Sequence, residues 1–249
     1  KIEHVGNMIA RRVQKGADRW AAAYWHNNPF CTVPKANRET YMGLWEKAKN
    51  ENFSEIDSFE KTMGYAIDAE WMHALALHTQ VVIKQSPICY QHGRVLYAAL
   101  RNYISSVSDS SINIVETGTA RGFSATVMAK AMDDAQMPGR IITLDLLPHD
   151  RAMYWNCIDD LDGMKTRRQL LSPWAEHVDK RVMFFEGDSR VTMGRFKMGR
   201  IHFAFLDGAH TFKDVLAEME QVVPWQKAGD VIVFDDYSPS IFPGLVDAV

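Results

Sequence analysis

Acidic residues recur where short apolar runs end. They are Glu116 in IVETGTARGFSA (114–125), Asp145 in IITLDLLPHD (141–150), Asp188 in VMFFEGDSR (182–190), Asp207 in IHFAFLDGAH (201–210), and Asp235 with Asp236 in DVIVFDDYSP (230–239). In an open α/β sheet, ligands bind beyond the carboxyl ends of the strands. Carboxylates gathered there suit a hydroxyl-rich cofactor, a cation, or both.

The first turn, with Gly118 and Gly122, follows a strand and opens a helix whose free N–H groups face a ligand. A dinucleotide fold calls for G-x-G-x-x-G. Here the spacing is E-x-G-x-x-x-G, and an acid at the strand end repels a phosphate and favours a cationic ligand. Asp145, closing the second strand, can accept both hydroxyls of a ribose. Asp188 and Ser189, after the third, would sit near an adenine edge; the alternative is an ordinary turn or helix cap. Asp207, Asp235 and Asp236 form the sharpest group. If the fourth and fifth strands are neighbours, about 4.8 Å apart, their ends bring the three carboxylates together. Such a trio repels itself unless neutralised, and a hard divalent cation with oxygen ligands does that. His210 stands at the mouth of the same site and could take a proton from a substrate hydroxyl. The alternative is a capping histidine. His92 and His149 could approach the pocket, though packing or surface roles explain them more simply.

Those residues need elements to place them. From about residue 111, short apolar runs alternate with helical stretches, which favours a parallel sheet of βαβ units. Strands are predicted over 112–116, 140–145, 181–185, 201–206 and 230–234. A helix is predicted over 94–107, another after the glycine turn with Ser124 near its start, and a third after Thr211. There Asp214 completes a capping box, and Phe212, Val215, Leu216 and Met219 line one face. Residues 146–180 are a long connection, part helical and part a candidate pocket wall. Residues 1–85 lack strand-like runs and read as a helical extension or cap, with Phe59, Met63, Ile67 and Trp71 at helical spacing. Trp20, Trp25 and Trp45 are simplest as core or interface residues, and Arg11 with Arg12 as a solvated face. The tail FPGLVDAV resembles the start of a further helix, and a sheet of this kind usually continues, so further strands are expected beyond it.

Composition narrows the function classes. The 249 residues carry a net charge of −3, too small a field to draw nucleic acid or an anionic membrane. No apolar run approaches the roughly 20 residues of a membrane helix. Three scattered cysteines, Cys31, Cys89 and Cys157, make neither a disulfide framework nor a zinc site by spacing, so a reducing, cytoplasmic setting is expected.

The ordered set VETGTARG, TLD, GDS, LDGAH and FDDY resembles the class I S-adenosylmethionine-dependent methyltransferases, and more narrowly the metal-dependent small-molecule O-methyltransferases of catechol and macrolide-sugar type. The resemblance covers roughly residues 86–249. It implies a Rossmann-like, doubly wound, mostly parallel sheet with helices on both faces. It implies that Glu116, Gly118, Thr119 and Gly122 line the methionine moiety, that Asp145 binds the ribose, and that Asp188 and Ser189 meet the adenine. Asp207, Asp235 and Asp236 would hold Mg²⁺ or a similar cation. His210 would be the base, with Asp207 as a second candidate. Aspartate at 236, where the family often has asparagine, suits the sugar branch. The acceptor would be a small molecule bearing a hydroxyl, a sugar or polyol ahead of a catechol or phenol. Trp155, Trp174 and Tyr237 could stack on it. Residues 1–85 do not match the catechol enzymes and are expected to serve as a lid, a substrate wall or an oligomer contact. Three rivals are an NAD-dependent oxidoreductase, opposed by the glycine spacing; a nucleic-acid methyltransferase, opposed by LDGAH in place of D/N-P-P-Y/F; and a noncatalytic adenosylmethionine-binding module.

Overall fold

A computed structural model describes residues 28–197 and 199–249. Trp20, Trp25, Arg11 and Arg12 lie outside them. Five strands form one parallel sheet in the order β3-β2-β1-β4-β5. They are β1 (Ile112–Thr117), β2 (Gly139–Asp145), β3 (Val182–Glu186), β4 (Phe203–Leu206) and β5 (Val231–Phe234), within two residues of the predicted boundaries. The chain builds outward from β1 through β2 to β3, then returns to the other side for β4 and β5. The point of reversal lies between β1 and β4, where α/β sheets open a ligand crevice.

The alternation of side chains along a strand divides the core in two. Ile114, Ile141, Phe203 and Phe205 join one layer with Leu96, Leu100, Phe123 and Val127 from helices. Val115, Ile142, Leu144, Ala204 and Leu206 face the other, with Met193 and Val222. The first layer includes α4 (His92–Ser106) and α5 (Phe123–Asp134). It also takes in α1 (Arg38–Lys49) and α3 (Ala69–Thr79), through Tyr41, Ala48, Met72 and Leu75. Helices α1 and α3 therefore share the core of the sheet domain.

Three sequence expectations are corrected. Phe59, Met63, Ile67 and Trp71 do not share one helix. Gly64 ends α2 (Ser54–Met63) with a left-handed backbone at φ 81°, and the Asp68 carboxylate accepts from Trp71 N to start α3. Beyond β4, α9 (Phe212–Val222) buries Val215, Glu218 and Val222, while Phe212 and Leu216 are exposed. Thr211 does cap that helix by accepting from Asp214 N, but the Asp214 carboxylate accepts from the Thr211 hydroxyl and from Arg190. In the 146–180 connection, Trp155 is fully buried and Trp174 nearly so, and neither is free to stack on an acceptor. That connection contains α6 (Arg167–Leu170) and α7 (Ala175–Arg181); short helices α8 (Ser189–Thr192) and α10 (Pro243–Ala248) complete the fold. Among the described residues, no helix is long and apolar enough to cross a membrane.

Candidate active site

The glycine turn between β1 and α5 is held by left-handed backbone at Gly118 (φ 85°), Ala120 (φ 45°) and Gly122 (φ 89°). At Gly118 the need for glycine is absolute: a Cβ there would lie 1.9 Å from the Asp207 carbonyl oxygen. The turn is thereby pressed against the end of β4.

Glu116 does not line the crevice as the resemblance implied. It is fully buried and accepts hydroxyl bonds from Ser124 and Thr143, tying β1 to α5 and β2. Thr119 is buried beside it, bonded to Thr143 at 2.5 Å. Burial outweighs the two hydroxyl bonds and pushes the Glu116 carboxyl up to about 7. Its folded pKa lies above its unfolded value, so the protonated form favours the native state. That contribution is complete below pH 4.5 and lost as pH rises through 7, an upper bound of about 3 kcal/mol. Glu116→Gln is expected to flatten the pH dependence of urea unfolding between those limits; an unchanged slope would remove Glu116 as its source.

Two cavities flank the turn. The first, about 440 Å³, is lined by Gly118, Ala120, Asp145, Asp188, Ser189, Arg190 and Phe30. Its volume suits a drug-sized ligand or nucleoside cofactor. Asp145 is fixed there: one oxygen accepts from Leu147 N at 2.8 Å, the other from Ala120 N at 2.5 Å, with Arg167 at 3.7 Å. Arg167 is itself buried and donates to the Ala120 carbonyl, so it braces the acid and the turn together. Asp188 caps α8 and pairs with Arg190 at 2.6 Å, and the Arg190 bonds hold its carboxyl below the usual range. Ser189 donates to Glu218, a buried acid that also accepts from Thr117 and would collide with a side chain at Gly208. Thus Asp188 and Ser189 reach the cleft while serving as cap and tether.

The second cavity, about 390 Å³, lies across the turn and shares Gly118, Ala120 and Asp207 with the first. Thr119, Asp235, Asp236, His92, Gln80, Lys84 and Arg121 line it. Leu206 pairs with Phe234, so the next residues, Asp207 and Asp235, leave adjacent strands side by side. The group whose ligand atoms lie within 4.8 Å of one another is Asp207, His210 and Asp236. Asp235 stands on the cavity wall outside that group, a departure from the expected three-aspartate cluster. Asp236 points into the group from a left-handed backbone, φ 54°, a conformation costing of order 1–3 kcal/mol away from glycine.

His210 Nε2 sits 3.5 Å from Asp207 and 3.7 Å from Asp236. It is buried without a hydrogen-bond partner among the described residues. The Phe242 ring, 4.4 Å away, holds the imidazole in place. Pairing with Asp207 raises the His210 pKa against desolvation. Desolvation, then the charge of Asp235, pushes Asp207 up to about 6 despite that pairing. These groups are crowded with negative charge and short of donors, a setting a cation would relieve. His92 lines the cavity and also packs edge-on against Phe123 at 5.0 Å; burial lowers its pKa.

Sequence reasoning did not find Phe30, Gln80, Lys84, Arg190 or Glu218. The first three come from distant segments and carry no local signal. Arg190 and Glu218 could have been sought as partners for the Asp188-Ser189 turn.

A parallel sheet reversing at β1 and β4, with an acid closing β2 inside the crevice, defines a nucleoside-binding α/β domain. The sequence profile described as a methyltransferase domain matches residues 115–237. Over these residues the chain is similar to methyltransferase domains. Among the solved structures that share the fold are two with TM-scores of 0.50 and 0.51. Apo CalS11, a TDP-rhamnose 3'-O-methyltransferase of calicheamicin biosynthesis, is 19% identical, with 84% of this chain and 82% of that one covered at a TM-score of 0.50. Cofactor-bound Rv0187 from MTB is 18% identical, with 80% and 84% covered at 0.51. No curated protein matches the chain in sequence.

Proposed function

We propose that the chain transfers a methyl group from S-adenosylmethionine to a hydroxyl of a small molecule, a sugar or polyol, with a divalent cation such as Mg²⁺ orienting the acceptor. One observation carries the reading: two cavities meet at Gly118, Ala120 and Asp207, and Asp207, His210 and Asp236 cluster at that junction. A cofactor in the first cavity would present its methyl group to an acceptor in the second.

The donor set fits a hard cation. Asp207 and Asp236 offer carboxylate oxygens, Asp235 is at hand on the wall, and Mg²⁺ prefers oxygen to imidazole nitrogen. His210 is then left as the proton acceptor. With Asp207 committed to a cation, the pairing that does most to raise the His210 pKa is weakened, which favours Nε2 as a free base. When bound, the cofactor supplies an electrophilic methyl on a sulfonium leaving group, and the cation acidifies and aligns the acceptor hydroxyl. The chain's own work is positioning: Asp145 holds the ribose, the glycine turn shapes the methionine end, and His210 receives the hydroxyl proton as the oxygen–carbon bond forms and the carbon–sulfur bond breaks.

Asp145→Asn retains the shape of the side chain but removes a charged acceptor from two ribose hydroxyls. S-adenosylhomocysteine affinity is expected to fall by about 1.5–3 kcal/mol; because the amide nitrogen cannot accept from Ala120 N or Leu147 N, stability is expected to fall by about 1–3 kcal/mol as well. Unaltered affinity in calorimetry of the folded variant would take Asp145 out of the cofactor site. The function itself is tested by transfer of labelled methyl from S-adenosylmethionine to a panel of vicinal diols. Transfer that Mg²⁺ supports and chelation abolishes is expected. Transfer indifferent to chelation would remove the cation from the reading.

A further inference from the structure

Of the six buried or half-buried arginines among the described residues, Arg94, Arg167, Arg181 and Arg200 have a carboxylate within 4.0 Å; Arg101 has none and rests on the Tyr97 hydroxyl and the Tyr65 ring. Arg121 is half-buried and has none among the described residues, although it lines the second cavity with Asp207, Asp235 and Asp236. Its direction is fixed. Ala120 and Gly122 on either side are left-handed, and a Cβ at Gly122 would lie 2.7 Å from Leu171. Arg121 Nε donates to the Trp155 carbonyl at 2.6 Å, and the guanidinium lies 4.1 Å over the Phe30 ring. One edge and one face are thereby used. The two terminal nitrogens have no hydrogen-bond partner among the described residues. The nearby buried acid Asp160 is turned inward, accepting from Trp155 N and Cys157 N. Lys84, exposed and also without a paired carboxylate among the described residues, lines the same cavity.

A half-buried guanidinium without a counterion gains from an anionic partner, and its paired terminal nitrogens match a carboxylate or phosphate. The acidic group on the β4 and β5 ends cannot be that counterion, since none of its carboxylates comes within 4.0 Å of Arg121. We propose that Arg121, assisted by Lys84, forms an anion subsite in the acceptor cavity, so that the acceptor is a hydroxyl compound carrying a phosphate or carboxylate. This rests on the methyltransferase reading and narrows its substrate class. The hydroxyl end would face Asp207, His210 and Asp236, and the anionic end Arg121.

The test uses glycerol 3-phosphate and glycerol, which share a vicinal diol and differ in the phosphate. Each is titrated calorimetrically into full-length protein saturated with S-adenosylhomocysteine, with chelator present so that no cation can hold the phosphate. Glycerol 3-phosphate is expected to bind at least about tenfold more tightly. That preference should vanish in Arg121→Gln, survive in part in Arg121→Lys, and fall about two- to fivefold in Lys84→Gln, whose exposed site leaves folding intact. Equal binding of the two probes, or a preference undiminished in both Arg121→Gln and Lys84→Gln, would overturn the subsite. Weakened S-adenosylhomocysteine binding in Arg121→Gln with the probe preference intact would assign the guanidinium to the cofactor's carboxylate and also overturn it. Native protein that binds no S-adenosylhomocysteine sinks the methyltransferase reading and the subsite together; binding without probe preference sinks the subsite alone.

Discussion

Asp207→Asn is expected to be nearly inactive and yet more stable than the native protein at pH 8. Asp207 stands where the two cavities meet and belongs to the cluster with His210 and Asp236. Without its charge the cation site keeps only a neutral ligand there and His210 loses its ionised partner. Loss of several kcal/mol of transition-state stabilisation corresponds to about a thousandfold in kcat. Stability moves the other way. The folded pKa of Asp207 is raised from 3.8 to about 6. The native state is therefore favoured by the protonated form, fully below pH 3.8, and that contribution is lost as pH rises through 6. At pH 8 ionisation burdens the fold by about 1–3 kcal/mol, discounted for partial exposure. An asparagine does not ionise and escapes this. Urea unfolding at pH 8 and at pH 4 should show the variant ahead at the first and level at the second. A variant less stable at pH 8 would show that Asp207 is held by attractions that outweigh its crowding, a result at odds with this electrostatic account. Such opposition of stability and activity is common where function gathers like charges.

Gly118→Ala is expected to be among the most damaging single methyl additions in the sheet domain, matched in its closest approach only by Gly139, whose Cβ would lie 1.9 Å from the Ile112 carbonyl oxygen. The added Cβ would lie 1.9 Å from the Asp207 carbonyl oxygen and 2.6 Å from its carbonyl carbon, and both contacts are backbone. No side chain can rotate away. The residue would also hold φ at 85°, a region that alanine occupies at a cost of order 1 kcal/mol or more. Relief requires the turn to separate from β4, which opens the junction between the cavities. A stability loss of about 3 kcal/mol or more, with cofactor binding abolished, is the expected outcome. Gly64→Ala is the control, since it has a similar φ of 81° but nothing within 4 Å of its Cβ. Equal losses in the two variants would mean that backbone strain, and not the close approach to Asp207, governs Gly118.

The strands were legible because a parallel strand covered on both faces is a short continuous apolar run, and each ended in a turn with an acid. Asp145, Asp188 and Asp207 are where those runs place them. Side-chain direction was less legible. Glu116 and Asp145 both end strands, but Glu116 points between β1 and α5 and Asp145 into the cleft. Strand period alone cannot tell which face a helix will cover. Phe212 and Leu216 read as core and are exposed, because α9 buries Glu218 to hold Ser189 and Thr117. The break between α2 and α3 carried its signal in Gly64 and Asp68, which the longer helical spacing overrode. Trp155 and Trp174 were read as open stacking surfaces, but their connection folds inward. The contribution of Phe30, Gln80 and Lys84 depends on tertiary contacts that no local pattern records.

The most direct measurement is calorimetric titration of the native chain with S-adenosylhomocysteine and with Mg²⁺, repeated on Asp207→Ala, which removes a ligand oxygen outright. One cofactor site in the native chain is expected, together with a Mg²⁺ site that is lost in the variant. Absence of S-adenosylhomocysteine binding to the native chain, or Mg²⁺ binding that survives in Asp207→Ala unchanged, would contradict the placement of a methyl-transfer centre at the junction of the two cavities.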